Sequence, residues 1–411
     1  MDTPAQAPSD PAAGLSKRPL SGVTVIDLGQ IYNGPYATFL MAMAGACVIK
    51  VEPPEGEKMR RRGAVGGAML PFAMLNSNKE FVTLNLKSER GLAILREMVS
   101  RADILLENFA PGTMDRLGVG PESLLKINPK LIYAAGTGYG SFGPNRNLLA
   151  MDLTVQAMSG AMASTGYPDR PPVKCGPAIC DFFGGIHLYG AVMTALFARE
   201  RTGEGRVVEV SMLESVYPSL GSTLGLYFGS GGQNPPRTGN RHGGLAESPY
   251  NVYSTQDGWL ALICTTDKHW ESLLDAMGRE DLKGDERFVN LGARVRHIET
   301  VDQLISDWSS GFKKEDLSRL LEAHRVPNAP VREIDEVIHD PHMHARGTLR
   351  HVQHPDLGDV ILPTGAMMFT GTEDITLTPS KGLGADNARV YGDWLGFTQA
   401  ELKELADTAV I

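Results

Sequence analysis

Asp181 is the residue whose setting in the sequence most invites chemistry. It closes the apolar segment PPVKCGPAICD and precedes FFGGIHLYGAVMTALFARERT, where Leu188, Val192, Leu196 and Phe197 recur on one helical face. The helix is expected to begin at or just after Gly184 and Gly185, which puts Asp181 in the positive field of its N-terminus. That field favours the ionised carboxylate by about 0.3–1 kcal/mol. An ionised carboxylate in apolar surroundings can serve as a nucleophile, and the two glycines let a ligand approach the backbone closely. Taken alone, the same pattern reads as an ordinary helix cap, so both readings stay open on local grounds.

Other patterns are weaker. The run from Gly138 to Gly143 matches G-x-G-x-x-G behind a strand, but Pro144, Asn145, Arg146 and Asn147 stand where a helix should start. The match also lies well past the first βα unit, so a ligand-facing loop is a better reading than a dinucleotide site. The stretch HDPHMHARGTLRHVQHP carries His339, His342, His344, His351 and His354. It lacks an HExxH helix and is broken by Pro and Gly, and so is read as an exposed connector, with no metal site assigned. No GxSxG elbow is present for serine chemistry. Cys175 and Cys180 read as small buried hydrophobes.

The elements that must position these residues alternate between strand and helix. GVTVIDLG, CVIKVE, FVTLNL, DILLENF and KLIYAAGT are apolar, β-branched runs suited to strands covered on both faces. Between them lie the helical stretches YATFLMAMAGA and GLAILREMVSRA, the second capped by Ser88. The alternation predicts βαβ units and a parallel sheet. After the Gly-rich GSGGQNPPRTGN the texture changes. YNVYSTQDGWLALIC predicts a hairpin turning at Asp257-Gly258, followed by helices at HWESLLDAMG, VDQLISDW and KEDLSRLLEAH. Strand-like GDVILP and AMMFTG follow, and Thr398 with Glu401 forms a capping box for a last helix.

The 411 residues suit two or three domains. Residues 1–17 read as a disordered tail, 18–225 plus 330–411 as a large Rossmann-like domain, and 226–329 as a smaller α+β domain. The net charge of −9 argues against a nucleic-acid or membrane-surface role, although Lys58, Arg60, Arg61 and Arg62 form a local basic cluster. Four cysteines without disulfide or zinc spacing, and the lack of a signal-like start, lead us to expect a cytoplasmic protein. No apolar run is expected to approach a membrane span.

The runs CGPAICDFFGGIHLYGAVMTALFARERTGEGRVVEVSM, LSGVTVIDLGQIYNGPYATFLMAMAGACVIKVEPP, LNSNKEFVTLNLKSERG, DILLENFAPGTMDRLG and PYNVYSTQDGWLALICTTDKHW strongly resemble the family III (CaiB/BaiF) CoA-transferases. The resemblance spans roughly residues 18–411. It implies an α/β fold with a Rossmann-like CoA-binding domain and an inserted small domain, assembled as an interlocked homodimer. It implies CoA transfer between small organic acids with Asp181 as covalent nucleophile, passing through mixed anhydrides and an aspartyl-CoA thioester. CoA thioesters are then substrates, and no tightly bound cofactor is expected. By the same resemblance Tyr139 lines the active site, Gly243 and Gly244 belong to a loop over the intermediate, and Tyr32, Leu84, Asn108, Phe109 and Arg116 lie where the family contacts CoA.

Two departures bear on substrate. Formyl-CoA transferases of this family carry a glycine-only loop where this chain has RHGGLAESP with Glu247, and a glutamine where it has Tyr32. Both argue against formyl-CoA/oxalate exchange. The α-methylacyl-CoA racemases share the fold but place a histidine thirty residues before the aspartate; here that position is Met151, whose thioether takes no proton. Arg237, Arg241 and His242 could receive a second carboxylate, which points to C4–C5 dicarboxylic acids with succinyl-CoA as donor. Transfer between two carboxyls of one branched diacid remains an alternative.

Overall fold

The computed structural model describes residues 17–61 and 69–411. Of the expected tail only Lys17 falls within them; Arg62 and the side chain of Arg61 also lie outside. The chain divides into two compact units. The first takes in the described residues of Met1–Val155 with Ala178–Ser215 and Asp340–Ile411; the second comprises Gln156–Pro177 and Val216–His339.

In the first unit six strands form one sheet: β1 (Thr24–Asp27), β2 (Cys47–Glu52), β3 (Lys79–Thr83), β4 (Ile104–Glu107), β5 (Ile132–Thr137) and β6 (Arg206–Ser211). They lie in the order β3-β2-β1-β4-β5-β6, and every neighbouring pair is parallel. Successive side chains of a strand point to opposite faces. Val25 and Ile104 therefore join one core with Phe39, Leu188 and Val192, from the helices Asn33–Met43 and Ile179–Thr202. Ile26 and Leu105 join the other, with Leu95 and Leu402 from the helices Glu89–Arg101 and Gln399–Asp407. The Ser88 hydroxyl caps the Glu89–Arg101 helix by accepting from Gly91 N–H at 3.0 Å, and the Thr398–Glu401 capping box is present.

Two expectations change here. The Ile179–Thr202 helix begins five residues before Gly184, because the backbone of CGPAIC already turns into it. It is also 24 residues long with an 18-residue stretch of mean hydropathy 1.4, long and apolar enough to cross a membrane, which the sequence reading did not expect. Leu188, Val192, Ala195 and Leu196 of this helix are instead buried on the sheet.

The second unit holds the expected hairpin. β7 (Tyr250–Ser254) pairs antiparallel with β8 (Trp259–Ile263), and β8 with β9 (Asn328–Pro330). Helices Asp267–Met277, Ile298–Ser309 and Lys314–Ala323 supply Trp270, Leu273, Ile305 and Leu317 to its core. Within the first unit, β10 (Leu349–His354) pairs with β11 (Gly358–Pro363). The histidine stretch is therefore partly ordered structure and not a plain connector: His354 is buried and its Nε2 lies 2.9 Å from Ser380 Oγ. The AMMFTG stretch forms no strand.

Candidate active site

The strand order reverses between β1 and β4, and open parallel sheets leave a crevice beyond the carboxyl ends of the strands at such a point. A cavity of about 420 Å³ lies there. Its walls come from the segments that follow β1 (Gln30, Ile31, Asn33), β4 (Asn108 to Pro111) and β5 (Gly138, Tyr139), with Arg146, Leu148 to Met151, Lys58, Met212 and Asp181.

Asp181 is the third residue of its helix and only 7 % exposed. Burial, followed by the nearby Asp152 carboxylate, raises its acid from 3.8 to about 7. The helix field, which favours the ionised form, is outweighed, because desolvation of a buried carboxylate exceeds the fraction of a kcal/mol a helix terminus supplies. Near neutral pH the group is thus shared between carboxylate and acid. Asp152 Oδ1 accepts from the N–H groups of Cys180 at 2.8 Å and Asp181 at 3.3 Å.

Asn33 is wedged beside it. Its Nδ2 donates to the Asp181 carbonyl at 3.3 Å. A Cβ on Gly136 would collide with Asn33 Oδ1, and one on Gly184 with Asn33 Nδ2. These glycines are therefore room for the asparagine. Asn33 is 3 % exposed, and its Oδ1 has no hydrogen-bond partner among the described residues.

The cavity walls are held from behind. Asn108 accepts from Gln30 N–H at 2.7 Å and donates to Gln30 O at 2.9 Å, pinning the turn after β1. In that turn Ile31 has φ of +64°, a conformation that β-branched side chains resist. Asp27 Oδ1 accepts from Gly29 N–H at 2.8 Å, and Lys50 donates to Gly29 O. Behind them Lys79 meets Asp27 at 2.9 Å and Lys50 meets Glu57 at 3.0 Å, all four fully buried at their charged ends. Glu209 on β6 holds the loop of Tyr139: it accepts from the Ser141 N–H, from Ser141 Oγ at 2.5 Å and from Thr137 Oγ1 at 3.3 Å. Phe109 N–H donates to Glu107 at 2.7 Å, and burial pushes the Glu107 acid up to about 7.

Of the residues anticipated for the site, Asp181, Tyr139, Asn108 and Phe109 share the cavity, and Met151 lines it too. Tyr32 stacks on Phe182 at 5.9 Å and packs against the Met59, Phe72 and Phe81 cluster. Leu84 is buried in the core beside Val82 and Leu92. Arg116 is exposed and donates to Thr113 Oγ1 at 2.9 Å. None of these three is in the cavity wall. Gly243 and Gly244 belong to the second unit, where Gly244 N–H donates to His242 Nδ1 at 3.3 Å.

The side chains suggested for a second carboxylate are committed locally. Arg241 pairs with Asp302 at 2.7 Å and Glu299 at 2.8 Å. Arg237 donates to the Tyr167 and Arg170 carbonyls, and His242 Nε2 lies 3.2 Å from Ser222 Oγ. In the basic cluster, Arg60 is held by Glu52 at 2.8 Å, whereas Lys58 faces the cavity. Sequence reading missed Asn33, Asp152 and Glu209. No local pattern marks them, because each acts on a segment distant in the chain.

The sequence profile of CoA-transferase family III matches residues 20–387. The chain belongs to this family. An acetyl-CoA:oxalate CoA-transferase of Acetobacter aceti is 38% identical, over 87% of this chain and 91% of the relative. A succinyl-CoA–D-citramalate CoA-transferase of Chloroflexus aurantiacus is 34% identical over 96% of this chain and 98% of its own length. Among solved structures, a CaiB/BaiF family protein from Brucella suis superposes with a TM-score of 0.81 at 32% identity, covering 92% of this chain and 100% of that one. The family member described here thus matches these relatives over at least nine tenths of their chains.

Proposed function

We propose that this family III member is an acyl-CoA:carboxylate CoA-transferase in which Asp181 is the covalent nucleophile. The observation that carries the proposal is a buried carboxylate, raised to about 7, in a cavity at the carboxyl ends of a parallel sheet. The ionised Asp181 attacks the thioester carbonyl of the donor; the C–S bond breaks, giving a mixed anhydride and CoA thiolate. The thiolate attacks the aspartyl carbonyl, releasing the donor acid as its carboxylate and leaving an aspartyl-CoA thioester. The acceptor carboxylate attacks that thioester and frees the thiolate. Thiolate attack on the acceptor carbonyl then forms the new acyl-CoA and restores Asp181. A carboxylate made basic by burial is a stronger nucleophile once ionised, and a water-poor cavity protects the anhydrides from hydrolysis.

Met151, in the cavity where a second base would stand, argues against α-proton exchange. Lys58 and Arg146 on the cavity wall give the anionic CoA two cations to approach. The β3-β2-β1-β4-β5-β6 order supports a Rossmann-like reading of the large domain. The division at 226–329, a homodimer and a cytoplasmic location belong to the same proposal. For the acids, the two relatives are named for oxalate and for succinyl-CoA with D-citramalate; dicarboxylic acids are the class we propose. Transfer within one diacid is the variant to exclude.

Incubation with acyl-CoA, trapping with hydroxylamine or borohydride, and mass spectrometry test the mechanism. An adduct on Asp181, and loss of turnover in Asp181→Ala, are expected. Modification elsewhere or undiminished turnover would overturn it. A panel of acyl-CoA donors against oxalate, succinate, glutarate and hydroxy diacids assigns the pair.

A further inference from the structure

The nucleophile's helix has no cap of its own. Its N-cap residue is Ala178, which makes no side-chain hydrogen bond, although the first N–H groups of any helix need acceptors from outside it. Asp152 supplies one oxygen to two of them, Cys180 N–H at 2.8 Å and Asp181 N–H at 3.3 Å, from 28 and 29 residues away in the chain. Asp152 directly follows Met151, and Leu148 to Met151 form one wall of the cavity. The same carboxylate therefore ties that wall to the turn that carries the nucleophile. On the opposite side Asn33 donates to the Asp181 carbonyl, so the Asp181 backbone is held at its N–H and its C=O by side chains from two separate segments.

A carboxylate used as a cap here has a second effect. It is an anion next to another carboxylate, and like charges at short range resist joint ionisation. Among the described residues, the other titratable or charged groups around Asp181 include the neighbouring Cys180, Lys58, Tyr139 and Arg146 on the cavity wall, Tyr36 against Phe182 and Gly185, and Glu107 behind Phe109. Of all these, Asp152 is the charge that moves Asp181, second to burial itself.

We propose that Asp152 is a positioning residue for CoA transfer: its two backbone hydrogen bonds fix the first turn of the nucleophile helix and tie it to the wall of Leu148 to Met151, and its carboxylate stands beside the nucleophile as a like charge. This rests on the reading of Asp181 as the attacking group. A neutral side chain of the same shape should keep the anchor and lose the charge, whereas a methyl group loses both.

The test compares Asp152→Asn and Asp152→Ala with the parent enzyme, using two readouts. The first is carboxyl-¹³C aspartate NMR, with the Asp181 signal assigned by its loss in Asp181→Asn, which also separates it from Glu107. Its titration midpoint should fall by about one pH unit in both variants. The second is the pH profile of kcat/KM for CoA transfer. In Asp152→Asn the alkaline plateau should stay within a few-fold of the parent while the midpoint falls. In Asp152→Ala the plateau should drop by at least about tenfold, as misplacement of a reacting group does. An unmoved Asp181 midpoint in Asp152→Asn, or equal plateaus in the two variants, would overturn the proposal. If the midpoint moves but no adduct forms on Asp181, the electrostatic link stands and the nucleophile assignment fails. If the adduct forms and the midpoint does not move, the converse holds.

Discussion

Replacing Asp181 by asparagine should make the protein more stable at alkaline pH. Burial and Asp152 raise the Asp181 acid from 3.8 to about 7. The folded chain thus holds this proton more tightly than the unfolded chain. Stability drawn from the group is fully present at low pH and is lost as pH rises from the unfolded value through the folded one. The shift is roughly three units, and each unit is worth about 1.4 kcal/mol. The cost of ionising Asp181 in the fold is then below about 1 kcal/mol near pH 4, about 2 kcal/mol near pH 5.5 and about 4 kcal/mol near pH 8. Asparagine has nearly the same shape and does not titrate, so the difference between the two proteins isolates this one group from every other ionisation. The assay is urea unfolding of both proteins across that range, with the slope of free energy on urea checked for constancy. A stability gap that widens steadily between about pH 4 and pH 8 in favour of the variant is expected. A gap that does not change with pH, or a variant less stable throughout, would refute the argument that the carboxylate is forced into ionisation against its surroundings.

Other outcomes follow from the same geometry. Gly136→Ala should displace Asn33, since the added Cβ meets its Oδ1; a loss of about 1–3 kcal/mol by urea unfolding, with reduced turnover, is expected. Lys79→Met removes the cation that meets the buried Asp27 at 2.9 Å and should cost about 3–5 kcal/mol, because the remaining charge is left unpaired in the interior. Glu209→Ala should free the loop of Tyr139 and lower kcat more than thermal stability, which parallel kinetic and melting measurements would show. In the parent enzyme kcat/KM should rise with pH through about 7, the value to which Asp181 is raised, because in the proposed mechanism the carboxylate is the attacking form.

The large elements of this protein are legible in its sequence because their signals are local. Apolar β-branched runs such as TVID and CVIKVE, alternating with helical stretches, already require a sheet covered on both faces, and that sheet is parallel. The Asp257-Gly258 turn likewise brings Tyr250–Ser254 against Trp259–Ile263. Composition misled where a helix and a strand share an apolar vocabulary. AMMFTG has the residues of a strand but no partner strand. The Gly184-Gly185 pair looks like a helix start and lies inside the helix, as the notch that receives Asn33.

The site divides along the same line. Residue types and spacing left Asp181 open between a nucleophile and an ordinary helix cap; the resemblance to the family III CoA-transferases singled it out, and marked Met151 as offering no second base. The protonation of Asp181 was legible in neither. A helix N-terminus predicts an ionised aspartate, and only the fold shows the carboxyl buried beside Asp152 and shifted the opposite way. Asn33, Asp152 and Glu209 were equally invisible, since each bonds to a segment from 28 to 148 residues away. Sequence alone determines which groups can react, because reactivity belongs to the residue type. Tertiary structure decides their charge and aim, because desolvation and long-range hydrogen bonds exist only once distant segments have packed together.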